Sequence, residues 1–273
     1  MTDRITVSRY YDERAAQEYC RLDQSPLHQA EWLLTLDLIN EYIATGATVL
    51  DIGAGPGRYT EYLLRERGCR VGLVDISPAC VQAFQERIGP NENVFLARAS
   101  CATDLSFIPD ATADALLLMG PLYHLTNPAE RQTALAECRR TLKPGGYLFA
   151  AFVSPYPLFP RILERDPSVL DDPEFVRLLT EEGRVTTKSI SNFVEQYRCW
   201  PNQAQNFLTE AGFTVTRTRN LEGVGALQGA IQATALAEPA RRQAWFDLLR
   251  RTCEIPDLLG ATIHFVCVAR KPM

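Results

Sequence analysis

Val49-Leu50-Asp51-Ile52-Gly53-Ala54-Gly55-Pro56-Gly57 is the most informative stretch of the chain, because an apolar strand runs straight into a glycine-rich turn. Glycine permits backbone angles closed to other residues and lets the main chain approach a ligand closely. In an open α/β sheet, such a strand and turn followed by a helix mark the place where a nucleotide-like ligand binds. The spacing is G-x-G-x-G rather than the dinucleotide G-x-G-x-x-G, and Asp51 precedes it, so the turn favours a ligand with an ammonium group.

Three further segments follow this turn in order: Val71-Gly72-Leu73-Val74-Asp75, Asp114-Ala115-Leu116-Leu117-Leu118-Met119-Gly120 and Leu142-Lys143-Pro144-Gly145-Gly146. With the glycine turn they resemble the class I S-adenosylmethionine-dependent methyltransferases. Gly55-Pro56-Gly57-Arg58-Tyr59 and Met119-Gly120-Pro121-Leu122-Tyr123-His124-Leu125 are similar to a group of small bacterial and archaeal members. The resemblance implies S-adenosylmethionine as cofactor and a doubly wound, Rossmann-like, seven-stranded α/β sheet that is mostly parallel with an antiparallel last strand.

The residue pattern itself alternates strands with helices, as a doubly wound sheet requires. The predicted strands are 48–52, 70–74, 93–97, 113–119, 147–153, 213–217 and 263–269. Ser77 is predicted to cap the helix after the second strand, Gly68 to end the helix before it, and Asn127 to begin the helix before the fifth strand.

Four parts of the chain are predicted. Residues 1–45 form two helical pieces that close over the site, and residues 46–153 form the cofactor-binding core. Residues 154–200, punctuated by five prolines, form a cap or lid, because long insertions beyond a strand's carboxyl end usually cover the ligand. Residues 201–273 complete the sheet and include a helical insertion at 237–257.

The cofactor contacts follow from the resemblance. Asp75 ends the second strand, where a carboxylate accepts both ribose hydroxyls, although an aspartate there also commonly forms a turn. The backbone of Gly53 and Gly55 contacts the methionine portion, and Asp51 fixes the loop and attracts the ammonium group. The remaining predicted cofactor-binding residues are Ala54, Ile76, Met119 and Gly120.

Two cofactor contacts depart from the family pattern. The acid that usually follows the third strand and binds the adenine amino group is missing, so Ser100, Cys101 or a backbone carbonyl stands in. Asp104 is an alternative partner, but a cap or turn role suits it equally. His28, at the start of the helix before the first strand, is predicted either to bind the cofactor carboxylate or to serve as a capping residue.

Tyr123 and His124 follow the fourth strand and are the predicted catalytic residues. His124 with an ordinary pKa is a natural general base for a protonated acceptor, and the alternative is a structural histidine that bridges loops. Tyr10, Tyr11, Tyr19, Tyr156 and Tyr197 either line the pocket or only pack. His264, between apolar neighbours on the last strand, is predicted to be a core histidine with satisfied hydrogen bonds.

The composition of the chain limits the classes of partner that it is expected to bind. With 273 residues and a net charge of −5, the chain lacks the basic balance needed to neutralise a nucleic-acid backbone, so a small-molecule substrate is favoured. Eight scattered cysteines without metal-like spacing predict reduced thiols and no metal site. No apolar run would span a bilayer and Asp3 and Arg4 do not suggest a signal peptide, so a cytoplasmic protein without a membrane partner is expected. A monomer and a homodimer both stay open.

The sequence therefore predicts methyl transfer from S-adenosylmethionine to an O or N atom of a small molecule. A thiol or arsenic methyltransferase is an alternative that requires cysteines at the site, where only Cys101 and Cys199 are expected. A non-catalytic sensor or assembly subunit that binds the cofactor is the other alternative, since fold alone does not settle function.

Overall fold

The computed structural model describes residues 4–185, 196–223 and 236–273, which form a seven-stranded sheet with helices on both faces. The strands are β1 (Thr48–Ile52), β2 (Arg70–Asp75), β3 (Val94–Ala99), β4 (Ala113–Leu118), β5 (Leu142–Val153), β6 (Arg184–Val185), β7 (Gln196–Tyr197), β8 (Thr214–Asn220) and β9 (His264–Arg270). The helices are α1 (Arg4–Asp12), α2 (Ala15–Cys20), α3 (Pro26–Tyr42), α4 (Arg58–Arg67), α5 (Pro78–Ile88), α6 (Pro121–His124), α7 (Pro128–Thr141), α8 (Leu158–Arg165), α9 (Pro173–Arg177), α10 (Pro201–Glu210) and α11 (Pro239–Thr252). The predicted α/β fold class is confirmed.

The sheet runs in the order β3-β2-β1-β4-β5-β9-β8, while β6 and β7 form a separate small sheet. Strands β1 to β5 are parallel, and β9 lies antiparallel between β5 and β8. The antiparallel last strand is therefore also confirmed. Strand order reverses between β1 and β4, and in open α/β sheets the ligand crevice lies outside the carboxyl ends of the strands at such a switch point.

Strand β4 shows why the predicted apolar run is continuous. Ala115 and Leu117 pack with α3, α4 and α11 on one face, while Leu116 and Leu118 pack with α7 and α10 on the other. Because successive side chains of a strand point to opposite faces, a strand buried on both faces must be apolar throughout. Because β4 is buried on both faces, its carboxyl end has a fixed position at the sheet edge where the ligand crevice is expected.

Local signals set the helix ends close to the predicted positions. Ser77 caps α5 by accepting the Cys80 amide at 3.1 Å, and Asn127 caps α7 by accepting the Ala129 amide at 3.0 Å. Gly68 ends α4 in the left-handed conformation. The N-terminal segment departs from prediction, since it contains three helices rather than two; Ser25 caps α3 and Pro26 occupies its first turn, which separates it from α2.

Strand β5 begins at Leu142, five residues before the predicted Tyr147. Leu142 pairs with Ala113, after which the register shifts and Tyr147 pairs with Ala115. The Gly145 amide donates to the Lys271 carbonyl at 2.9 Å, so the chain between the two pairs is held by the C-terminal residues. The glycine pair is thus a bulge within the strand rather than a boundary before it.

The predicted cap is only partly within the described residues, since 186–195 lie outside them. Its described part has a small apolar cluster of its own, formed by Leu158, Ile162, Phe175, Leu179 and Val185. Within it, α9 is followed by a π-helical turn, Leu178–Glu182, in which the Gly183 amide donates to the Leu178 carbonyl. The insertion at 237–257 contains α11, which Arg250 ties to Asp37 of α3 at 2.8 Å. None of the described helices combines the length and apolarity needed to cross a membrane.

We expect Gly53→Ala to destabilise the fold more than Gly46→Ala does. Both glycines have positive φ, +72° and +77°, so each substitution costs roughly 1–2 kcal/mol in backbone strain. A Cβ at Gly53 would lie 2.3 Å from Cγ of Pro121, whereas one at Gly46 meets nothing within 4 Å. Overpacking should therefore add about 1–3 kcal/mol at Gly53 alone. Urea unfolding measures both, and equal losses would contradict close packing between the glycine turn and α6.

Candidate active site

A cavity of about 440 Å³ opens at the carboxyl edge of the sheet, within the usual size of small-ligand sites, ~300–1,000 Å³. It lies at the switch point between β1 and β4. Its wall includes every predicted site residue: His28, Asp51, Gly53, Ala54, Gly55, Asp75, Ile76, Ser100, Cys101, Met119, Gly120, Tyr123 and His124. The structure thus brings these residues together, and their individual roles stay predictions.

Asp51 is a buried carboxyl in the second-last position of β1. The hydroxyl of Thr60, in the first turn of α4, donates to it at 2.6 Å. Burial raises the pKa of Asp51 to about 7, and nearby Asp75 adds to this effect while the Thr60 hydrogen bonds oppose it. A group that carries positive charge would restore an ordinary pKa here.

Asp75 organises the turn after β2. Its carboxylate accepts the Gly55 amide at 2.7 Å and the Ser77 amide at 2.8 Å, one on each oxygen. Burial raises the pKa of Asp75 to about 6 despite these two hydrogen bonds. Because a carboxylate has about four lone-pair sites, the turn-forming role and the predicted ribose contacts are compatible.

The chemistry of these two acids fits the cofactor implied by the resemblance. Both are buried, and the hydrogen bonds described for them come from neutral hydroxyl and amide groups. S-adenosylmethionine offers an ammonium group and two ribose hydroxyls, which would compensate buried carboxylates at Asp51 and Asp75 respectively.

At the predicted adenine end, Ser100 and Cys101 line the cavity but Asp104 does not. Asp104 is exposed and accepts the hydroxyl of Ser106 at 2.7 Å and its amide at 3.2 Å. Asp104 is therefore a turn residue, and the alternative that it binds adenine is wrong. Its carbonyl accepts the Ser100 hydroxyl at 2.9 Å, which fixes that side chain at the cavity wall.

His28 lies in the first turn of α3, beside the capping residue and at the cavity wall. Its ring Nδ1 lies 2.9 Å from the hydroxyl of Ser25, the residue that caps α3, and the ring lines the cavity. Burial, and next Arg21, lower the pKa of His28, so at neutral pH it offers a hydrogen bond rather than a full charge.

The N-terminal helix α1 covers the cavity through specific hydrogen bonds. Ser8 donates to the Ile76 carbonyl at 3.1 Å, and Asp12 accepts the Ser77 hydroxyl at 2.6 Å. The Tyr11 hydroxyl lies 2.9 Å from Nε2 of His124. Among the tyrosines proposed for the pocket, only Tyr11 lines it, and all of them are in the described residues.

Tyr123 and His124 lie on α6, directly after β4. The Tyr123 hydroxyl donates to the Met119 carbonyl at 3.2 Å, and burial raises the pKa of Tyr123. Burial, assisted by the charge of His264, lowers the pKa of His124 to about 4. The expectation of an ordinary pKa for His124 is therefore wrong, because its ring is buried between α1 and α6.

The sequence did not identify a charged network on the same wall. Arg21 forms two hydrogen bonds to Glu31, at 2.7 and 2.8 Å, and these lower the pKa of Glu31 although its side chain is buried. His264 has the hydrogen-bond partner that was predicted for it, with Nδ1 2.6 Å from Glu222, but it lies at the cavity wall rather than in the core. The register could have located His264: the first residue of an antiparallel strand lies at the edge where parallel strands end. Glu18, Arg21 and Glu222 carried no comparable sequence signal.

Glu31, Glu222 and His264 hold ligand-type atoms within 4.8 Å of one another, a grouping that could in principle bind a metal ion. Arg21 already occupies the Glu31 carboxylate, and the Glu222 carboxylate accepts hydrogen bonds from His264 and from the Thr262 hydroxyl. We therefore interpret the group as an ion-pair and hydrogen-bond network.

We expect the ligand-free protein to lose stability as pH rises from about 5 to 8. Folding raises the pKa of Asp51 to about 7 and that of Asp75 to about 6, so both protons are held more tightly in the folded state. Their stabilising contribution is complete below pH ~4 and is lost as pH rises through these values. Asp51 alone accounts for about 2–3 kcal/mol, at ~1.4 kcal/mol per pH unit.

Urea unfolding at pH 5 and pH 8 measures this dependence. Asp51→Asn should flatten it, whereas Asp257→Asn, at an exposed position, should not. An Asp51→Asn variant with the wild-type pH dependence would show that burial of this carboxyl is not the cause.

Comparison with known proteins agrees with the fold. Residues 49–146 match a family described as a methyltransferase domain. A demethylmenaquinone methyltransferase of Tropheryma whipplei is 32% identical over 232 residues, covering 80% of this chain and 89% of that protein. A ubiquinone biosynthesis O-methyltransferase of Xylella fastidiosa is 32% identical over 133 residues, covering 48% of this chain and 52% of the relative.

Solved structures share the fold. One is the 1,6-didemethyltoxoflavin-N1-methyltransferase of Burkholderia thailandensis, solved with its substrate and S-adenosylhomocysteine; it has a TM-score of 0.56 and 21% identity, and the match covers 98% of this chain and 85% of that one. Since the Tropheryma relative is matched over most of both chains, the similarity extends well beyond the glycine turn. The chain belongs to the class I S-adenosylmethionine-dependent methyltransferases.

Proposed function

We propose that this protein transfers the methyl group of its cofactor, S-adenosylmethionine, to an O or N atom of a small molecule. The observation that carries the proposal is a single cavity whose wall holds both the buried carboxylates Asp51 and Asp75 and the ionisable rings of Tyr123, His124 and His264. The two carboxylates suit the binding of a cofactor, and the ionisable rings suit an acceptor that must lose a proton. When bound, the cofactor supplies an electrophilic methyl group on a sulfonium, so the protein needs mainly to position and deprotonate the acceptor.

The chain's own residues divide this work. Asp51 holds the ammonium group and Asp75 the ribose, while Gly53 and Gly55 bring the backbone against the methionine portion. Helix α1 restricts water at the reacting atoms through the hydrogen bond between Tyr11 and His124. The buried Tyr123 ring, 5.9 Å from the His264 ring between centroids, forms the wall on the acceptor side.

The names of the relatives suggest what kind of acceptor to test. One acts on demethylmenaquinone and another is an O-methyltransferase of ubiquinone biosynthesis, so we propose a hydroxylated ring as the acceptor. Such a ring arrives neutral and protonated at pH 7.

The thiol or arsenic alternative finds little support in the site. All eight cysteines are in the described residues, and Cys101 alone lines the cavity. Cys199 is 1% exposed and packs in the core beneath the sheet edge. A single cavity cysteine does not provide the several thiolates that capture of a soft metalloid needs.

We expect calorimetry to show binding of S-adenosylhomocysteine and far weaker binding of NAD. Asp75→Asn should weaken S-adenosylhomocysteine binding by about 1.5–3 kcal/mol, roughly 10- to 150-fold, because it removes charge-assisted hydrogen bonds to the ribose. Asp104→Asn is the matched control, since Asp104 is exposed outside the cavity. Comparable affinities for NAD and S-adenosylhomocysteine would overturn the cofactor assignment of these residues.

Turnover separates catalysis from a sensor role. Incubation with S-adenosylmethionine and a panel of catechol, hydroquinone, 1,4-naphthohydroquinone and aromatic amines, followed by mass spectrometry, should reveal a product heavier by one methyl group. Tight binding without any methylated product would favour the non-catalytic alternative.

A further inference from the structure

The strongest acid–base arrangement at the cavity is the pair formed by His264, which lines the wall, and Glu222, whose carboxylate lies 2.6 Å from the His264 Nδ1 atom. His264 begins β9, and because β9 is antiparallel, its first residue pairs with Val153 at the carboxyl end of β5. This register delivers the imidazole to the same edge as the ends of β1 and β2. Glu222 follows β8, the neighbour of β9 on the other side.

Glu222 holds the His264 ring in one orientation. Its carboxylate lies 2.6 Å from Nδ1, accepts the His264 amide at 2.7 Å and accepts the hydroxyl of Thr262. The Glu222 side chain is 2% exposed, whereas 20% of the His264 side chain is open. A carboxylate at Nδ1 keeps the proton on that nitrogen, so Nε2 carries the free lone pair.

We propose that His264, rather than His124, accepts the proton of the methyl acceptor, and that Glu222 is its positioning residue. This inference rests on the proposed function. As the acceptor oxygen forms its bond to the methyl carbon, the S–C bond breaks and its electron pair stays on sulfur, leaving a neutral thioether. The acceptor O–H bond breaks at the same stage and its proton moves to Nε2 of His264, which becomes an imidazolium and later releases the proton to solvent.

Charge on the wall favours this step. The sulfonium charge disappears and an equal charge appears on His264, between Glu222 and the Glu31 carboxylate 3.9 Å away. Fixed carboxylates aimed at a developing positive charge stabilise the transition state without reorganising. At His124, by contrast, Nε2 is already engaged by the Tyr11 hydroxyl 2.9 Å away.

The ionisable groups that face His264 are Glu222 after β8, Glu31 and His28 on α3, Glu18 on α2, Arg21 after α2, and Tyr123 and His124 on α6. Burial works against a proton on His264, but Glu222 and then Glu31 outweigh it and raise its pKa above 6.5, with Arg21 opposing. The pKa of His124 is about 4. The two candidate bases therefore titrate in separate pH ranges.

The first test needs no acceptor. NMR titration of the three histidines, assigned by single substitutions, should show His264 titrating above pH 6.5 and above His28 and His124. Glu222→Gln should lower the pKa of His264 by about 1–3 units, since an opposite charge within ~4–6 Å is lost. Glu210→Gln, an exposed carboxylate at the end of α10, is the control and should leave it unchanged. A His264 that titrates below 6.5, or that ignores Glu222→Gln, overturns the proposal whether or not an acceptor has been found.

The second test uses the ring acceptor that the wild-type protein methylates best. His264→Asn should lower kcat by about 10²–10⁴ while leaving the Kd for S-adenosylhomocysteine unchanged. The kcat profile should rise with pH through the His264 titration and move to lower pH in Glu222→Gln. Should His264→Asn fail to fold, His264→Ala assayed with and without added imidazole replaces it, and restored turnover supports the base role.

Three results would contradict the proposal. Folded His264→Asn with near wild-type kcat would exclude His264 as the base, and a profile that inflects near pH 4 would favour His124. Loss of activity in EDTA, restored by Mg²⁺ or Zn²⁺, would identify the Glu31, Glu222 and His264 group as a metal site instead. Failure of the wild-type protein to bind S-adenosylhomocysteine would refute the proposed function and is a separate outcome.

Discussion

Two buried carboxyls, Asp51 and Asp75, set the constraint on which the site depends. The sheet places both at its carboxyl edge, Asp51 in β1 beside the point where the strand order reverses and Asp75 at the end of β2. Burial raises both pKa values, and only neutral donors contact the two groups in the described structure. In the proposed function, a ligand with positive charge and hydroxyl groups compensates these two buried carboxyls, and this is the physical basis that we propose for cofactor specificity.

Charges are compensated differently on the proposed acceptor side of the cavity. There, Arg21 neutralises Glu31, and in the proposed mechanism Glu222 balances a charge that His264 acquires only during reaction. Before methyl transfer, the positive charge is on the cofactor sulfur; by the end of the reaction, a proton of the acceptor must be removed. A wall that carries carboxylates near both positions can stabilise the charge before and after transfer, so positioning and electrostatics together account for the chemistry.

The sequence predicted the sheet, and it predicted residues that line the cavity, because those signals are local. A glycine turn, an aspartate at a strand end and a capping serine such as Ser77 each act over a few residues. The bulge at Gly145 and the π-helical turn after α9 were missed because partners distant in sequence determine them: Lys271 holds the first, and the second closes against Arg198. The charged network was missed for the same reason, since nothing near Arg21 indicates that Glu31 will receive it.

The predicted strand topology was sufficient to place His264 at the ligand edge of the sheet. The last strand was predicted as antiparallel, and its residue composition suggested a core histidine. Yet direction alone decides which end of a strand meets the ligand edge: parallel strands contribute their last residues, and an antiparallel neighbour contributes its first. In this chain that first residue is His264, and the strand beside it ends two residues before Glu222. One antiparallel strand thus lets the sheet contribute a histidine and its carboxylate partner to an edge otherwise built from the ends of β1 to β5.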